Sequence, residues 1–366
     1  MAFFSAFPYF PTTNVDFTVN RLHVFNLWQF KDKYIADSPV RQKVEQFSAL
    51  YVDSNLEKVP TLALAVFDGA YDFRAMSDED VRDMRRYALA LLFCSVIRNE
   101  QNSVCVSEQF NLFHQSFDPT QDSIAYRTGS YYQVLNWQSL GHTKLVRPEY
   151  VPAETLLYRF DERLFGALCN MIDARRPKDD SIIRALEWVR YAHMNAEGIS
   201  NESRLVMMTT AFETLFNLPR RDKTFQFSSR LEQIIKVDQL DVYDDKFRVV
   251  QTGLSRTRRM KPDGTLVMGS NNQSLEWTTY GWWARDLYEL RSKIVHGDAL
   301  TPADFRNHNN IPHFHIALHV MQYCLHNLLE DKKYLTYRTF PLEGEQVPVE
   351  KYPAVRRLRK IEQAIS

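Results

Sequence analysis

After residue 153 the chain carries a succession of segments whose apolar residues recur at the 3.6-residue spacing of an α-helix. The segment 201–217 is typical, because its large apolar side chains fall on one face. We predict helices over 155–174, 179–197, 201–217, 226–236, 282–296 and 312–331. Strand signals are few in this half, so these helices must bury their apolar faces against one another. The pattern therefore predicts an all-α bundle.

Residues 1–153 show a different pattern, made of short apolar runs bounded by polar residues. Partial alternation at 21–30 and the apolar run at 61–67 predict strands, and 125–137 contains a plausible hairpin turn. Ser77 precedes three acidic residues, which predicts a helix N-terminus, because a hydroxyl caps free N–H groups and acids favour the positive end of the dipole. The first domain is therefore predicted to be mixed α/β, and the fold class of the chain to be α+β.

The predicted domain boundary lies near Pro148 and Pro152, where both patterns are interrupted. It separates a mixed α/β domain over 1–153, a candidate sensor or regulatory domain, from a helical domain over 154–337. Residues 338–366 form a tail with a basic cluster at Lys351, Arg356, Arg357, Arg359 and Lys360. Within the helical domain, one long connection spans about 246–281. A connection of this length is typically functional or mobile.

The charge balance restricts how this chain can bind nucleic acid. Lys and Arg together number 45, as do Asp and Glu, so the formal net charge is zero and any contact with a polyanion must come from local patches. One such patch contains four basic residues within six positions: Arg256, Arg258, Arg259 and Lys261. Contact with an RNA phosphate backbone is the functional interpretation of this patch. A solvated loop is the alternative.

The cysteines and the hydropathy pattern indicate a soluble, cytoplasmic protein. The four cysteines are scattered and form no CxxC pair, which is typical of buried thiols in a reducing compartment. No run approaches the roughly 18 apolar residues of a membrane span, and the N-terminus lacks the pattern of a signal peptide. Phosphate-binding glycine loops and nucleophile elbows are also missing, so we predict no cofactor.

The candidate chemistry lies at the end of the helix predicted over 282–296. Gly297 suits the left-handed conformation that stops a helix, so His296 is predicted to lie on the last turn. An imidazole changes charge near neutral pH and can take the proton of an RNA 2′-hydroxyl. The planar guanidinium of Arg291 suits a phosphate whose charge rises in the transition state. The pair could cleave RNA without a metal ion.

The spacing of Arg291 and His296 alone is a weak signal. Roughly one Arg-x4-His pair is expected by chance in a chain of this composition. Five residues of a regular helix turn through about 500°, which leaves the two side chains roughly 140° apart. A second pair with similar spacing, Arg306 and His313, spans a predicted loop. The alternative to a catalytic pair is a surface arginine and a histidine that caps the helix.

Three segments in the helical half resemble a known family. Tyr288 to Gly297, with its RSxxVHG core, is similar to the motif helix of ApeA-like HEPN domains. Upstream, Ala211 to Phe216 resembles that family's first-helix signature, an apolar helix with a Glu before a Leu, and Ser229 to Glu232 resembles the start of its second helix. The resemblance covers roughly residues 180–335. It implies a helical bundle that dimerises about its motif helices, so that two Arg/His pairs face each other across one groove.

The resemblance also implies a function. Many HEPN proteins are metal-independent endoribonucleases of bacterial toxin or antiphage defence systems, and others bind RNA, a nucleotide or a protein without cutting. By position, His296 corresponds to the general acid/base and Arg291 to the phosphate clamp. Ser292, Glu213 and Arg230 match supporting polar positions, although surface ion pairs also explain the last two. RNA and a second copy of the chain are the implied partners.

A histidine stripe is the candidate metal site. His315 and His319, four residues apart on a predicted helix, continue through Gln322 to His326. Zinc binds such a pair, but the HExxH glutamate is missing. We therefore predict solvated or dimer-facing histidines and no metal.

Overall fold

The structure is a computed structural model of the 366-residue chain. It describes residues 5–7, 16–35, 38–52, 55–59, 62–67, 77–98, 123–128, 131–136, 145–146, 157–160, 162–193, 199–234, 256–261, 263–269, 274–307 and 310–335. The chain forms two compact units. The first contains 1–176 and 193–195, and the second contains 177–192 and 196–366. The division therefore lies after Arg176 rather than after residue 153.

The first unit contains a four-stranded antiparallel sheet with the order β1-β5-β3-β2. Its strands are β1 (Ser5–Phe7), β2 (Asp16–Val19), β3 (Leu22–Asn26) and β5 (Ala63–Phe67). β3 and β5 are buried along their whole length, as expected of strands covered on both faces. The strand predicted at 61–67 is confirmed. At 21–30 only the first half is a strand, because Asn26 caps helix α1 (Leu27–Tyr34) by accepting from the Trp28 and Gln29 N–H groups.

Helices α2 (Ser38–Ser48), α3 (Asp78–Cys94) and α4 (Glu162–Ala174) complete the helical part of this unit. The predicted start of α3 is confirmed: Ser77 Oγ accepts from the Asp80 N–H, and Asp80 accepts from the Ser77 N–H. Further strand pairs join β4 (Tyr51–Val52) to β9 (Leu145–Val146), β6 (Ser95–Arg98) to β10 (Leu157–Phe160), and β7 (Ser123–Thr128) to β8 (Tyr131–Asn136). The antiparallel β7–β8 pair agrees with the extended structure predicted over 125–137, and the predicted turn at 129–130 lies outside the described residues.

The helix predicted over 155–174 is wrong in its first part. Leu157–Phe160 is a strand, antiparallel to β6, and the helix begins only at Glu162. α4 packs on α3 in the first unit. The segment therefore belongs to the mixed α/β part of the chain.

Asp16 holds together one edge of the first unit. Its carboxylate accepts hydrogen bonds from the Tyr34 hydroxyl at 2.7 Å and from Lys33 Nζ at 3.0 Å, and it lies 2.9 Å from His23 Nε2. Burial alone would raise the pKa of Asp16, but these three partners together lower it to about 2. The ionised form is therefore bound more strongly in the folded state than in the unfolded state.

We expect this carboxylate to make stability depend on pH in the acid range. Its pKa is depressed, so its contribution is complete above about pH 4 and is lost as the pH falls towards 2. The contribution is at most about 2 kcal/mol, since one pKa unit corresponds to about 1.4 kcal/mol and the side chain is 23% exposed. Urea unfolding at pH 5 and pH 2.5 should show a larger loss for the wild type than for Asp16→Asn. Equal losses would contradict the prediction.

The second unit is helical. Its helices are α5 (Asp180–His193), α6 (Asn201–Phe216), α7 (Lys223–Ile234), α8 (Thr279–His296) and α9 (His313–Asp331). The corresponding predictions are confirmed with small shifts at the ends. Ser200 caps α6 through the Ser203 N–H, and Asn217 ends it in a left-handed conformation with φ of 50°.

Helix α8 packs against α6 and α7, and α9 packs against the same two helices. An aromatic cluster joins three of them, with Phe212 and Phe216 from α6, Phe227 from α7 and Tyr288 from α8. Asp179, just before α5, is buried and accepts hydrogen bonds from Lys332 and from the Tyr334 hydroxyl. These bonds connect the start of α5 to the residues that follow α9. The chain is thus α+β overall, with a mixed first unit and a helical second unit.

The described residues of the long connection, between 256 and 278, fold back on one another. Thr257 pairs with Trp277, and Met260 pairs with Leu266. Their apolar side chains form a small core on the N-terminal turns of α7 and α8, made of Phe225, Val267, Leu275, Trp277 and Trp282. This part of the connection is therefore packed on the bundle.

The histidine stripe on α9 faces the core where its side chains are described. Gln322 and His326 are buried, so the prediction of a solvated or dimer-facing histidine is wrong for His326. The side chains of His315 and His319 lie outside the described part. No metal-binding group of His, Cys, Asp or Glu is found in the described ranges. None of the described helices combines the length and apolarity that a bilayer crossing requires.

Candidate functional site

The N-terminus of helix α8, which carries the Arg291/His296 motif, is fixed by a carboxylate from a neighbouring helix. Glu232 of α7 accepts from the Thr278 N–H at 2.9 Å, from the Thr278 hydroxyl, and from the Gly281 N–H at 3.1 Å. Thr278 itself makes no side-chain cap. The carboxylate therefore satisfies two backbone N–H groups at this helix end, those of Thr278 and Gly281, and interacts favourably with the positive end of the helix dipole.

This contact requires a glycine at position 281. A Cβ there would lie 2.6 Å from Glu232 Oε1 and 2.8 Å from Trp277 Cβ. We expect Gly281→Ala to lower the free energy of unfolding by about 1–3 kcal/mol, because overpacking forces α7 and α8 apart. Gly166→Ala on α4 is the matched control. A Cβ at that position would meet no atom within 4 Å, so the better helix propensity of alanine should stabilise by about 0.5–1 kcal/mol. Urea unfolding measures the free energy of unfolding of both variants. A change of the same sign in the two variants would contradict the prediction.

The C-terminus of α8 ends as predicted. Gly297 has φ of 76°, its N–H donates to the Ile294 carbonyl, and the Asp298 N–H donates to the Lys293 carbonyl at 3.0 Å. His296 is the last helical residue and is exposed. Within the described residues it makes no hydrogen bond and no ion pair. Its imidazole is therefore accessible to a ligand at the negative end of the helix.

Arg291 lies in a polar cluster that we call the Glu213 cluster, formed by Glu213, Lys223, Tyr288 and Arg291. Glu213 Oε1 accepts from the Tyr288 hydroxyl at 2.6 Å and lies 3.7 Å from Arg291 Nη2. Its other oxygen accepts from Lys223 Nζ. The Arg291 guanidinium also lies over the Tyr288 ring, 5.5 Å from its centroid. One carboxylate thus holds two cations and one phenol.

The cluster leaves part of the Arg291 guanidinium unused. Its side chain is 24% exposed and its ion pair with Glu213 is long, so the exposed part of the guanidinium can donate to an anion, whereas its Nε is buried. Burial and the bond to Glu213 raise the pKa of Tyr288, so this phenol stays protonated and keeps donating. Arg291 is therefore oriented by Glu213 and Tyr288 while retaining donors for an anion.

The structure does not bring Arg291 and His296 together within one chain. α8 is an uninterrupted helix over both residues, so their side chains point in directions roughly 140° apart. Arg291 is half-buried against α6, whereas His296 is exposed. In the described ranges, no hydrogen bond joins the two residues. One phosphate could therefore contact an arginine and a histidine of this motif at the same time only if the two residues came from different copies of the chain.

The supporting residues predicted from the sequence fall in different places. Glu213 lies beside Arg291 and binds it. Ser292 is half-buried next to Arg291 and makes no hydrogen bond within the described ranges. Arg230 is exposed on α7, where it donates to Gln233 at 3.0 Å, away from the cluster. The α7 residue that acts on the motif helix is instead Glu232.

Folding places carboxylates beside the three arginines of the predicted RNA-binding patch. Arg259 donates to both oxygens of Asp286 at 2.8 Å, Arg258 lies 3.9 Å from Glu276, and Arg256 lies 4.0 Å from Glu232. Lys261 is exposed and makes no ion pair in the described part of the connection. Arg256 and Arg259 approach carboxylates of α7 and α8, whereas the partner of Arg258 lies within the connection; neither interpretation of the sequence anticipated these contacts. The similar pair of Arg306 and His313 is structural: Arg306 donates to the Asn310 carbonyl, and burial lowers the pKa of His313.

Sequence reasoning missed a basic cluster in the turn between α6 and α7. Arg220, Arg221 and Lys223 fall within four residues, with Asp222 the acid among them. Both arginines are exposed, and neither has a hydrogen-bond or ion-pair partner among the described residues. Lys223 is the first residue of α7 and reaches the Glu213 cluster. The sequence shows that these basic residues are clustered, but only the fold shows that Lys223 lies close to Arg291.

Comparison with known proteins identifies no relative. No protein-family model matches the chain, and neither a curated protein nor a solved structure matches it significantly. The resemblance to ApeA-like HEPN domains therefore depends on the quoted motifs alone, and its functional implications are proposals.

Proposed function

We propose that this protein is a metal-independent endoribonuclease of the HEPN type, acting as a homodimer through the second unit, in a toxin or antiphage defence role. The proposal rests on the surroundings of the two motif side chains on helix α8. Arg291 is oriented by Glu213 and Tyr288 with donors to spare, and His296 is exposed on the same helix without a partner in the described residues. Val295, which is 51% exposed, places an apolar side chain beside His296 that a second copy would cover.

The proposed chemistry needs only these two side chains. The His296 imidazole takes the proton from the 2′-hydroxyl as the 2′-oxygen attacks phosphorus. It then returns the proton to the 5′-oxygen as the P–O5′ bond breaks, so the products are a 2′,3′-cyclic phosphate and a 5′-hydroxyl. Arg291 stabilises the charge that develops on the non-bridging oxygens. DNA lacks the attacking hydroxyl and is left intact.

The test is an incubation of purified protein with single-stranded RNA in EDTA, beside Arg291→Ala and His296→Ala. Lys293→Ala is the matched control, since this exposed lysine lies on the same turn. We expect the wild type and the control to cut and the two site variants to be impaired. Equal cleavage by all four proteins would remove the site assignment.

A second function, binding without cleavage, is favoured by the separation of Arg291 and His296 within one chain. In that case the helical unit recognises RNA, a nucleotide or a partner protein and the histidine has no catalytic role. Absence of cleavage by every variant, together with RNA affinity that falls steeply as salt rises, would support this second function.

A further inference from the structure

The turn between α6 and α7 carries positive charge that the fold does not use. Arg220 and Arg221 are exposed and, within the described residues, have no carboxylate partner. The arginines of the long connection differ, because Arg256, Arg258 and Arg259 each lie within about 4 Å of a carboxylate. Unpaired guanidinium groups contribute more to phosphate binding, because no internal ion pair has to be broken first.

Lys223 connects this turn to Arg291. Its ammonium binds one oxygen of Glu213 while Arg291 approaches the other, so the two cations share a single carboxylate. A lysine at the first position of a helix interacts unfavourably with the positive end of the dipole, so helix stability does not explain Lys223. The same helix end adds to the positive potential around the turn.

The charges add up to an anion-binding surface. Arg220, Arg221, Lys223 and Arg291 bring four positive charges, and Asp222 and Glu213 bring two negative ones. The surface therefore keeps a net charge of two within a chain whose formal net charge is zero. Each internal phosphodiester of a nucleic acid carries one negative charge, so two successive phosphates would neutralise the surface.

We infer that the α6–α7 turn, through Arg220, Arg221 and Lys223, is a phosphate-binding surface continuous with Arg291 that holds the backbone of single-stranded RNA beside the motif helix. This inference rests on the proposed function for its choice of RNA. Contacts of this kind position a strand but read neither its sequence nor its sugar. DNA of the same sequence should therefore bind almost as well without being cut.

The test measures binding separately from cleavage. A fluorescent, fully 2′-O-methylated single-stranded RNA cannot be cut at the 2′-position, and its affinity is measured by anisotropy across a range of salt concentrations. Each lost phosphate contact should reduce the slope of log K against log salt by about 0.7 for a single strand. The double variant Arg220→Gln/Arg221→Gln should therefore lose about 1.4 in slope and bind roughly tenfold or more weakly at low salt.

The control removes a charge from the paired region. Arg259→Gln should leave the slope nearly unchanged, because that guanidinium donates to both carboxylate oxygens of Asp286 at 2.8 Å. Lys223→Gln should lose less than about 0.7 in slope, because Lys223 already binds Glu213. Arg220→Lys/Arg221→Lys keeps both charges of the turn and should retain most of the slope, which separates loss of charge from loss of folding. Circular dichroism on every variant checks that the helices are retained.

The outcomes separate this inference from the nuclease proposal. The inference would be overturned if the turn variant and the control lost the same amount of slope in log K against log salt, or if the wild type did not bind the RNA. Binding as described without cleavage of ordinary RNA would leave the phosphate surface standing and remove the nuclease function. Cleavage by the Arg220→Gln/Arg221→Gln variant with an unchanged KM would support the nuclease function and overturn the inferred phosphate surface.

Discussion

Replacing His296 with alanine is expected to lower the rate of RNA cleavage by about 10²–10⁴, the usual contribution of a general acid or base. Binding of uncleavable RNA should change little, since the cations of the Glu213 cluster remain in place. Stability should fall by no more than about 1 kcal/mol, because the side chain is exposed and contributes mainly through the helix dipole. Single-turnover cleavage in EDTA, followed on a labelled strand, measures the chemical step directly.

Two further variants decide whether the loss comes from proton transfer. His296→Asn keeps a polar side chain of similar size without a titrating group, so it should be as slow as the alanine variant. Lys293→Ala removes an exposed charge three residues earlier and should retain most of the rate. Cleavage by His296→Asn at the wild-type rate would show that the histidine transfers no proton.

The helices of the second unit could be predicted because their determinants are local. Apolar spacing and nearby end signals define Asn201–Phe216 and Thr279–His296, with Ser200 at one start and Gly297 at the other end. Leu157–Phe160 was mistaken for helix because its apolar residues also fit helical spacing. Its strand form depends on pairing with Ser95–Arg98, some 60 residues earlier, which no local pattern reveals.

The candidate site could be predicted only in part, for the same reason. The motif residues and Glu213 could be named from the chain, but the carboxylates that decide which cations remain available come from distant segments. Glu232 lies 46 residues from Thr278, and Asp286 lies 27 residues from Arg259. Only the basic cluster at 256–261 was singled out from the sequence, although the charge density at 220–223 is similar, and only the fold shows that the arginines of the first cluster lie beside carboxylates.

Glu213→Gln is expected to have the largest effect on stability among the site variants. Removing the charge leaves Lys223 and Arg291 close together without the anion they share. The loss from a fully buried pair would be about 3–5 kcal/mol, and we expect about 2–3 kcal/mol because the side chains of this cluster keep some exposure to solvent, with Glu213 14% exposed. Glutamine still accepts from the Tyr288 hydroxyl, so the change tests charge more than shape. Urea unfolding of the full chain measures it.

The matched control is Glu289→Gln, which removes a charge from the exposed side of the same motif helix. Its partner Arg285 lies one turn away, so the loss should be about 0.3–0.5 kcal/mol. A cycle combining Glu213→Gln with Lys223→Gln should show coupling, because the second change removes one of the cations left unpaired by the first. Additive losses would mean that the carboxylate does not organise the cluster.

Glu213→Gln should also separate binding from catalysis. Without the carboxylate, the surface around Lys223 and Arg291 becomes more positive, so uncleavable RNA should bind more tightly and with a steeper dependence on salt. Arg291 loses the partner that orients it, so cleavage should slow by about tenfold or more, because orientation determines how well a donor stabilises the transition state. Tighter binding with slower cutting is a result that simple loss of folding cannot produce. Weaker binding together with unchanged cleavage would mean that Glu213 supports the fold and does not position Arg291.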